Sequence, residues 1–250
     1  MKRTIAEIDG DIYVYEIAAV AEVGVDWGDD LWTLHAFEEP TIALLDSKIR
    51  TLTEVVGASD YRIYLTCDKH NFRKDILPTY KGNRVGVRKP MLIPRLRQHL
   101  FDNHKAIMEE NLEADDLLGI TLSDPQSYEN RIVITKDKDL STIAGIHYRT
   151  HHTELGIFEV TQDEADLFHL VQTLSGDVAD NYKGCPTIGD VRAVRFLEEL
   201  PQEERWEKVV ALYAKQGLGE EEALVQARVA RILRHGEYNF KTKKVKLWMP

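Results

Sequence analysis

Three short, largely apolar, β-branched runs stand out because each leads into aspartate: residues 4–8 before Asp9, 61–67 before Asp68, and 131–135 followed by Asp137 and Asp139. Runs of this length and composition predict strands. Between them apolar residues recur at helical spacing, at Ile42, Leu45, Ile49, Leu52 and Val56, and again from Leu117 to Leu122. Residues 12–23 carry both signals, Ile-Tyr-Val-Tyr for a strand and Glu-Ile-Ala-Ala for a helix, and we assign them as a helix after the first strand. Strands alternating with helices predict an α/β fold whose central sheet is mainly parallel, flanked by helices. Ligands of such sheets gather at the carboxyl ends of the strands, which is where this sequence places its aspartates.

Beyond residue 160 the pattern becomes helical. Thr161 with Glu164 three residues on has capping-box spacing, and further helices are predicted over 190–200, 202–216 and 220–234. Tyr238-Asn239-Phe240, a Lys-Thr-Lys-Lys turn and Val245-Lys246-Leu247-Trp248 read as a small terminal hairpin. The expected division is an α/β domain over 1–160 and a helical region over 161–250.

The chain has no apolar run long enough to span a bilayer, and its N-terminal apolar run is too short and too soon charged for a signal peptide. A cytoplasmic protein without membrane contact, and a monomer, is expected. Cys67 and Cys185 lack metal-site or disulfide spacing and read as small buried hydrophobes.

Charge changes the picture. The net charge of −10 argues at first against a polyanionic partner, but its distribution is uneven. Residues 1–68 carry 5 basic and 14 acidic side chains, residues 69–97 carry 9 and 1, and residues 98–250 carry 18 and 27. One basic stretch in an acidic chain reads either as a phosphate-binding strip beside a carboxylate site or as a solvated helix face.

The acids form tight groups: Glu113, Asp115 and Asp116; Asp137 and Asp139; Asp177 and Asp180. Each group has an ordinary alternative, in a helix start, a cap or a turn. Convergence of all of them with Asp9 and Asp68 would be costly, because two like charges about 4 Å apart repel by roughly 4 kcal/mol at an effective dielectric of about 20. Cations would have to neutralise them, and oxygen-only donors select hard ions such as Mg²⁺ or Mn²⁺. Two such ions beside a basic strip point to phosphodiester hydrolysis. No phosphate-binding Gly-rich loop and no nucleophilic triad spacing is present.

Taken together, Asp9-Gly10, Phe72-Arg73, Pro78-x-Tyr80-Lys81-x-Asn83-Arg84, Glu113-Ala114-Asp115-Asp116, Thr135-Lys136-Asp137-Lys138-Asp139-Leu140 and Gly176-Asp177-x-x-Asp180-Asn181 resemble the 5′-nuclease superfamily of flap endonucleases and 5′→3′ exonucleases. The stretch from Ala230 to Trp248 is most similar to its branch in short-tailed bacteriophages. The resemblance implies a PIN-like fold, with one metal ion among Asp9, Asp68, Glu113, Asp115 and Asp116 and a second nearer Asp137, Asp139, Asp177 and Asp180. It implies that Arg73 touches the scissile phosphate, with Lys69 or Lys74 as the catalytic lysine. Tyr80, Lys81, Arg84, Arg88 and Lys89 would line a helical arch over about 72–107 through which the 5′-ended strand passes. Lys183, Gly184, Gly189 and Arg192 would belong to a DNA-binding helix–hairpin–helix over about 176–200, with K⁺ as an optional ion.

The implied activity is two-metal 5′→3′ hydrolysis of duplex DNA from 5′ ends, with flap endonuclease and RNase H-like action on hybrids, in phage DNA degradation or replication within an infected bacterium. Two alternatives stand beside it: a structure-specific flap endonuclease with little exonuclease action, and a nucleic-acid-binding protein with a vestigial site.

Overall fold

The computed structural model describes residues 2–250. In chain order the elements are β1 (Thr4–Asp9), α1 (Gly10–Val20), β2 (Val23–Asp26), β3 (Trp32–His35), α2 (Glu38–Val55), β4 (Asp60–Tyr64), α3 (Arg73–Ile76), α4 (Ile93–His104), α5 (Ala114–Leu122), β5 (Asn130–Thr135), β6 (Gly145–Arg149), β7 (Ile157–Val160), α6 (Gln162–Ser175), α7 (Asp190–Leu197), α8 (Gln202–Lys215), α9 (Glu220–Ala230), β8 (Tyr238–Asn239) and β9 (Lys244–Val245). Five strands form the central sheet in the order β4-β1-β5-β6-β7, all parallel except β7. The chain leaves β1 for one side, to β4, and returns on the other, at β5. The carboxyl end of β1 is therefore a topological switch point, where a crevice opens between diverging connections.

β1 is central because both of its faces are buried. Ala6 and Ile8 pack with α1, α2 and α4 through Tyr13, Leu45, Ile49, Leu52, Leu96 and Leu100. Glu7 points to the other face, fully buried, 2.9 Å from Arg62 and accepting the Tyr64 hydroxyl at 2.8 Å. Gly10 starts α1 hard against β4: a Cβ there would meet Ile63 at 2.6 Å and the Tyr64 carbonyl at 2.8 Å. Only glycine allows this approach, which keeps Asp9 and the first turn of α1 inside the crevice.

Residues 12–20 are helical, and the predicted apolar spacing of α2 buries Leu45, Ile49, Leu52 and Val56. The capping box of α6 is present, with the Glu164 amide donating to Thr161 Oγ1 and the Thr161 amide to Glu164 at 2.8 Å. The strand expected over 61–67 ends at Tyr64. Beyond it the chain leaves β1 and bonds instead to 107–112, with the Leu65 amide donating to the Ile107 carbonyl and that of Cys67 to Leu112. The β2–β3 hairpin and the strands β6 and β7 were not legible as separate elements.

The expected helical arch is not formed. Residues 77–92 contain only one 3₁₀ turn, Gly82–Arg84, because Pro78 and Pro90 remove amide donors and Gly86 adopts a positive φ. α4 then lies on the core with Leu96 and Leu100 buried. Nor is residue 160 a clean boundary: Ile232, Leu233 and Tyr238 return to share one core cluster with Leu112, Leu117, Leu118 and Val133. No helix among the described residues is long and apolar enough to cross a membrane. Cys67 and Cys185 are free and buried.

Candidate active site

At the carboxyl ends of β1 and β5 lies a cavity of about 180 Å³. Asp9, Asp11, Glu113, Asp115, Asp137, Asp139 and Asp180 line it together with Arg73, Lys81 and Arg84. Asp9 is the last residue of β1 and accepts from Thr135 Oγ1, at the end of β5, at 3.1 Å. The same hydroxyl accepts the Asp137 amide at 2.9 Å, and Asp137 in turn accepts the Asp139 amide at 2.8 Å. A second turn is fixed in the same way, with the Asp180 amide donating to Asp177 at 3.0 Å. Short polar side chains bonded to nearby amides thus hold both acidic loops in turns. The α6–α7 connection reaches the cavity because Gly176 passes the 182–184 backbone so closely that a Cβ would lie 2.4 Å from Lys183.

The cations are unevenly shared. Lys81 pairs with Glu113 and lies 3.5 Å from Asp180, while Arg84 is 2.7 Å from Asp180. Burial works against ionisation of Glu113, but Lys81 and Arg73 outweigh it and bring its carboxyl down to about 2. Among the described residues, Asp9, Asp115, Asp137 and Asp139 form no ion pair with lysine, arginine or histidine. Burial first, and repulsion from Asp11 and Asp137 second, push Asp9 up to about 7. Burial, with Asp137 and Asp177, pushes Asp139 to about 7 as well. Asp115 is raised well above the carboxylate range by burial and by Asp9, Asp137 and Glu113. Asp139 Oδ1 is buried without a hydrogen-bond partner. Clustered oxygen donors short of positive charge fit hard divalent cations.

A pH dependence follows. Asp9 and Asp139 have folded-state values of about 7 against an ordinary 3.8, so protonation favours the fold. That stabilisation is complete below about pH 4 and is lost as pH rises through about 7. The thermal midpoint of chelator-treated protein is expected to fall between about pH 5 and pH 8 by differential scanning fluorimetry, and Asp139→Asn should reduce the fall. A profile unchanged by Asp139→Asn would mean that this carboxyl is not under strain.

Several expected site residues lie elsewhere. Asp68 is mostly exposed, 3.2 Å from Arg97 and outside the cavity, because its strand ends early. Asp11 occupies the cavity beside Asp9, accepting the Thr66 amide at 2.7 Å and pairing with Arg97. Its only sequence signal was the Asp9-Gly10-Asp11 spacing. Asp116 is fully buried in a two-pronged pair with Arg73, both contacts 2.7 Å, and also accepts the Leu233 amide. The Arg73 guanidinium additionally donates to the carbonyls of Val229 and Arg231. Arg73 borders the cavity, but its guanidinium and the Asp116 carboxylate are both taken up by these contacts within the fold. Lys69 and Lys74 are exposed and outside the cavity; Lys81 is the lysine that lines it.

Tyr80 is a buried part of the cavity wall, with its hydroxyl 2.9 Å from Glu113 and 2.8 Å from Asp180, so it organises the acids. Arg88 and Lys89 are exposed on the non-helical segment, which Arg88 ties to Glu22. Of the helix–hairpin–helix residues, Gly184 is buried with its amide donated to Gln226 at 3.0 Å, unavailable to a phosphate. Lys183, Gly189 and Arg192 are exposed. Asp177 does not line the cavity and instead accepts the Asp180 amide.

Residues 36–171, more than half of the chain, match the model of the 5′–3′ exonuclease N-terminal resolvase-like domain. The chain belongs to the 5′–3′ exonuclease family. It is 29% identical to the exonuclease of Escherichia phage T7, an alignment that covers 99% of this chain and 94% of that protein. It is likewise 29% identical to the exodeoxyribonuclease of Enterobacteria phage T3, over 99% of this chain and 93% of the relative. Among solved structures, the bacteriophage T5 protein co-crystallised with metal ions superposes with a TM-score of 0.60 at 18% identity, covering 91% of this chain and 93% of that one. The T5 flap endonuclease in a pseudo-enzyme–product complex with DNA and metal ions gives 0.62 at 17% identity, with the same coverage. These superpositions show that the α/β sheet with its flanking helices is the 5′-nuclease fold.

Proposed function

We propose that this family member hydrolyses DNA from 5′ ends by a two-metal mechanism at the β1–β5 cavity, inside an infected bacterial cell. The observation that carries the reading is the convergence of Asp9, Asp115, Asp137 and Asp139 without a cationic partner. Asp9, Asp11, Glu113 and Asp115 would hold one ion, and Asp137, Asp139 and Asp180 the other, with Asp177 fixing the turn that carries Asp180. When bound, the pair supplies a hydroxide nucleophile and neutralises charge on the phosphate. Mg²⁺ suits the all-oxygen donor set, and Mn²⁺ would substitute. The phage relatives support the exonuclease reading, and the T5 complex supports DNA as the substrate.

The remaining residues have distinct tasks. Lys81 keeps Glu113 ionised and presents an ammonium to the phosphate. Arg73 and Tyr80 position Asp116, Glu113 and Asp180 through the contacts above. Arg84, Arg88 and Lys89 offer positive charge along the route into the cavity, and Lys183, Gly189 and Arg192 face the duplex.

Digestion of 5′-labelled duplex, flap and RNA–DNA hybrid substrates tests this. Mono- and short oligonucleotides are expected with Mg²⁺ or Mn²⁺, little cleavage with Ca²⁺, and none in EDTA. Full activity in chelator would sink the two-metal reading, and a single released flap as sole product would favour the flap endonuclease alternative. Single-turnover kinetics test the lysine. Lys81→Ala is expected to lower the chemical rate by about 10²–10³, the usual loss when one electrostatic stabiliser is removed. Lys69→Ala and Lys74→Ala should stay near the parent rate; a comparable loss in either would return the role to that residue.

A further inference from the structure

On the far flank of the sheet, Asp46 of α2 meets His99 and His104 of α4. His99 Nε2 lies 2.7 Å and His104 Nε2 2.9 Å from the same oxygen, Asp46 Oδ1. One ligand atom from each residue falls within 4.8 Å of the others. The two imidazoles are nearly buried, with side-chain exposures of 11% and 12%, whereas Asp46 opens to solvent at 35%. The rings stand edge to face, with centroids 5.3 Å apart. None of the three lines the catalytic cavity, and Tyr61, which contacts His104, sits at the start of β4, the end away from that cavity.

The geometry points to a second metal site here, away from the nuclease cavity, one that takes Zn²⁺ and bridges α2 to α4. Two imidazole nitrogens and one carboxylate form a donor set for Zn²⁺ and not for Mg²⁺. Zn–N bonds of about 2.0–2.1 Å in a tetrahedron place donor atoms roughly 3.3 Å apart. The present separations of 2.7 and 2.9 Å therefore need to widen by about half an ångström, which small side-chain rotations supply. Asp46's open side leaves room for a water as fourth ligand.

The outer nitrogens are already partnered, as metal-bound histidines require. His104 Nδ1 lies 2.8 Å from the Tyr61 hydroxyl, and His99 Nδ1 lies 3.0 Å from the Asn103 side-chain amide. Without metal, each Nε2–H donates to Asp46 and each Nδ1 accepts. Coordination through Nε2 moves each proton to Nδ1, which then donates to the Tyr61 oxygen and, after an amide turn, to Asn103 Oδ1. The proton count is unchanged.

Isothermal titration of metal-stripped protein with Zn²⁺ tests the site, in a background carrying Asp115→Asn and Asp137→Asn to weaken the catalytic cluster. One equivalent should bind with micromolar affinity or better, unaffected by millimolar Mg²⁺, and raise the thermal midpoint. Zinc X-ray absorption should show two imidazole ligands. His104→Ala should weaken binding at least a hundredfold while leaving Mg²⁺-dependent nuclease activity of the otherwise unaltered protein intact. Should that variant fold poorly, Tyr61→Phe, which removes only the outer partner, should weaken binding by about 10–100-fold. Absence of Zn²⁺ binding in the parent background, or affinity unchanged by both His104→Ala and Tyr61→Phe, would overturn the proposal.

Discussion

Asp115→Asn and Asp137→Asn are each expected to lower turnover on DNA by on the order of a thousandfold while leaving DNA affinity equal or tighter. Asp115 projects from the first turn of α5, and Asp137 from the loop after β5. Both line the cavity, and Asp137 is one of the carboxylates whose repulsion raises Asp115 and Asp9. Removing one carboxylate from a two-metal centre sacrifices several kcal/mol of charge stabilisation in the transition state, and about 4 kcal/mol corresponds to about a thousandfold in rate. In chelator, binding responds in the opposite sense, because deleting a negative charge reduces repulsion of the phosphate. The metal-free proteins should also gain stability, since each change relieves burial of an unpartnered carboxylate. Single-turnover rates, filter binding and thermal unfolding in chelator separate the three effects. Variants that lose DNA affinity yet keep the saturated rate would place the reacting centre elsewhere.

Replacement of Arg73 should act on stability before it acts on chemistry. Its guanidinium joins α3 to α5 through Asp116 and to the end of α9 and the residue after it through the carbonyls of Val229 and Arg231. Arg73→Met leaves the fully buried Asp116 without a counter-charge, and breaking a buried pair this way costs about 3–5 kcal/mol. For a chain of this size, that lowers the thermal midpoint by roughly 6–20 °C. Arg73→Lys should not rescue it, because an ammonium cannot reproduce the planar two-pronged contact. Denaturant unfolding of the metal-loaded protein measures the loss. A variant with parental stability but a thousandfold lower rate would restore the direct phosphate contact implied by the family resemblance.

Most of the acidic site was legible because strand ends can be read from pattern. Thr4–Asp9 and Asn130–Thr135 are adjacent parallel strands, so acids at the ends of both runs had to share one edge of the sheet. Asp139 followed from its spacing to the second of these ends, and Asp115 from the Glu113-Ala114-Asp115-Asp116 group and the family resemblance. Asp68 did not, because its run looks uniformly apolar, yet hydrogen bonding switches after Tyr64 from β1 to residues 107–112. Which of two neighbouring chains an extended segment pairs with is a non-local choice.

The same limit explains Arg73 and Lys81. In the sequence both belong to one basic stretch and look equally available to phosphate. Which of them is sequestered depends on the end of α9 and the residue after it, more than 150 positions away from Arg73, coming back to bury its guanidinium against Asp116. The Asp46–His99–His104 group is hidden for a related reason: histidines five apart point about 140° away from each other on a regular helix. They meet only because His104 closes α4 and Asp46 approaches from another helix. Local patterning thus determined the alternating α/β architecture, the aspartates at the strand ends and the charge asymmetry, since these depend on the side-chain periods of strands and helices. Partner choice among charges was decided by tertiary structure, because burial and proximity set the strength of each pair and neither exists until distant segments pack.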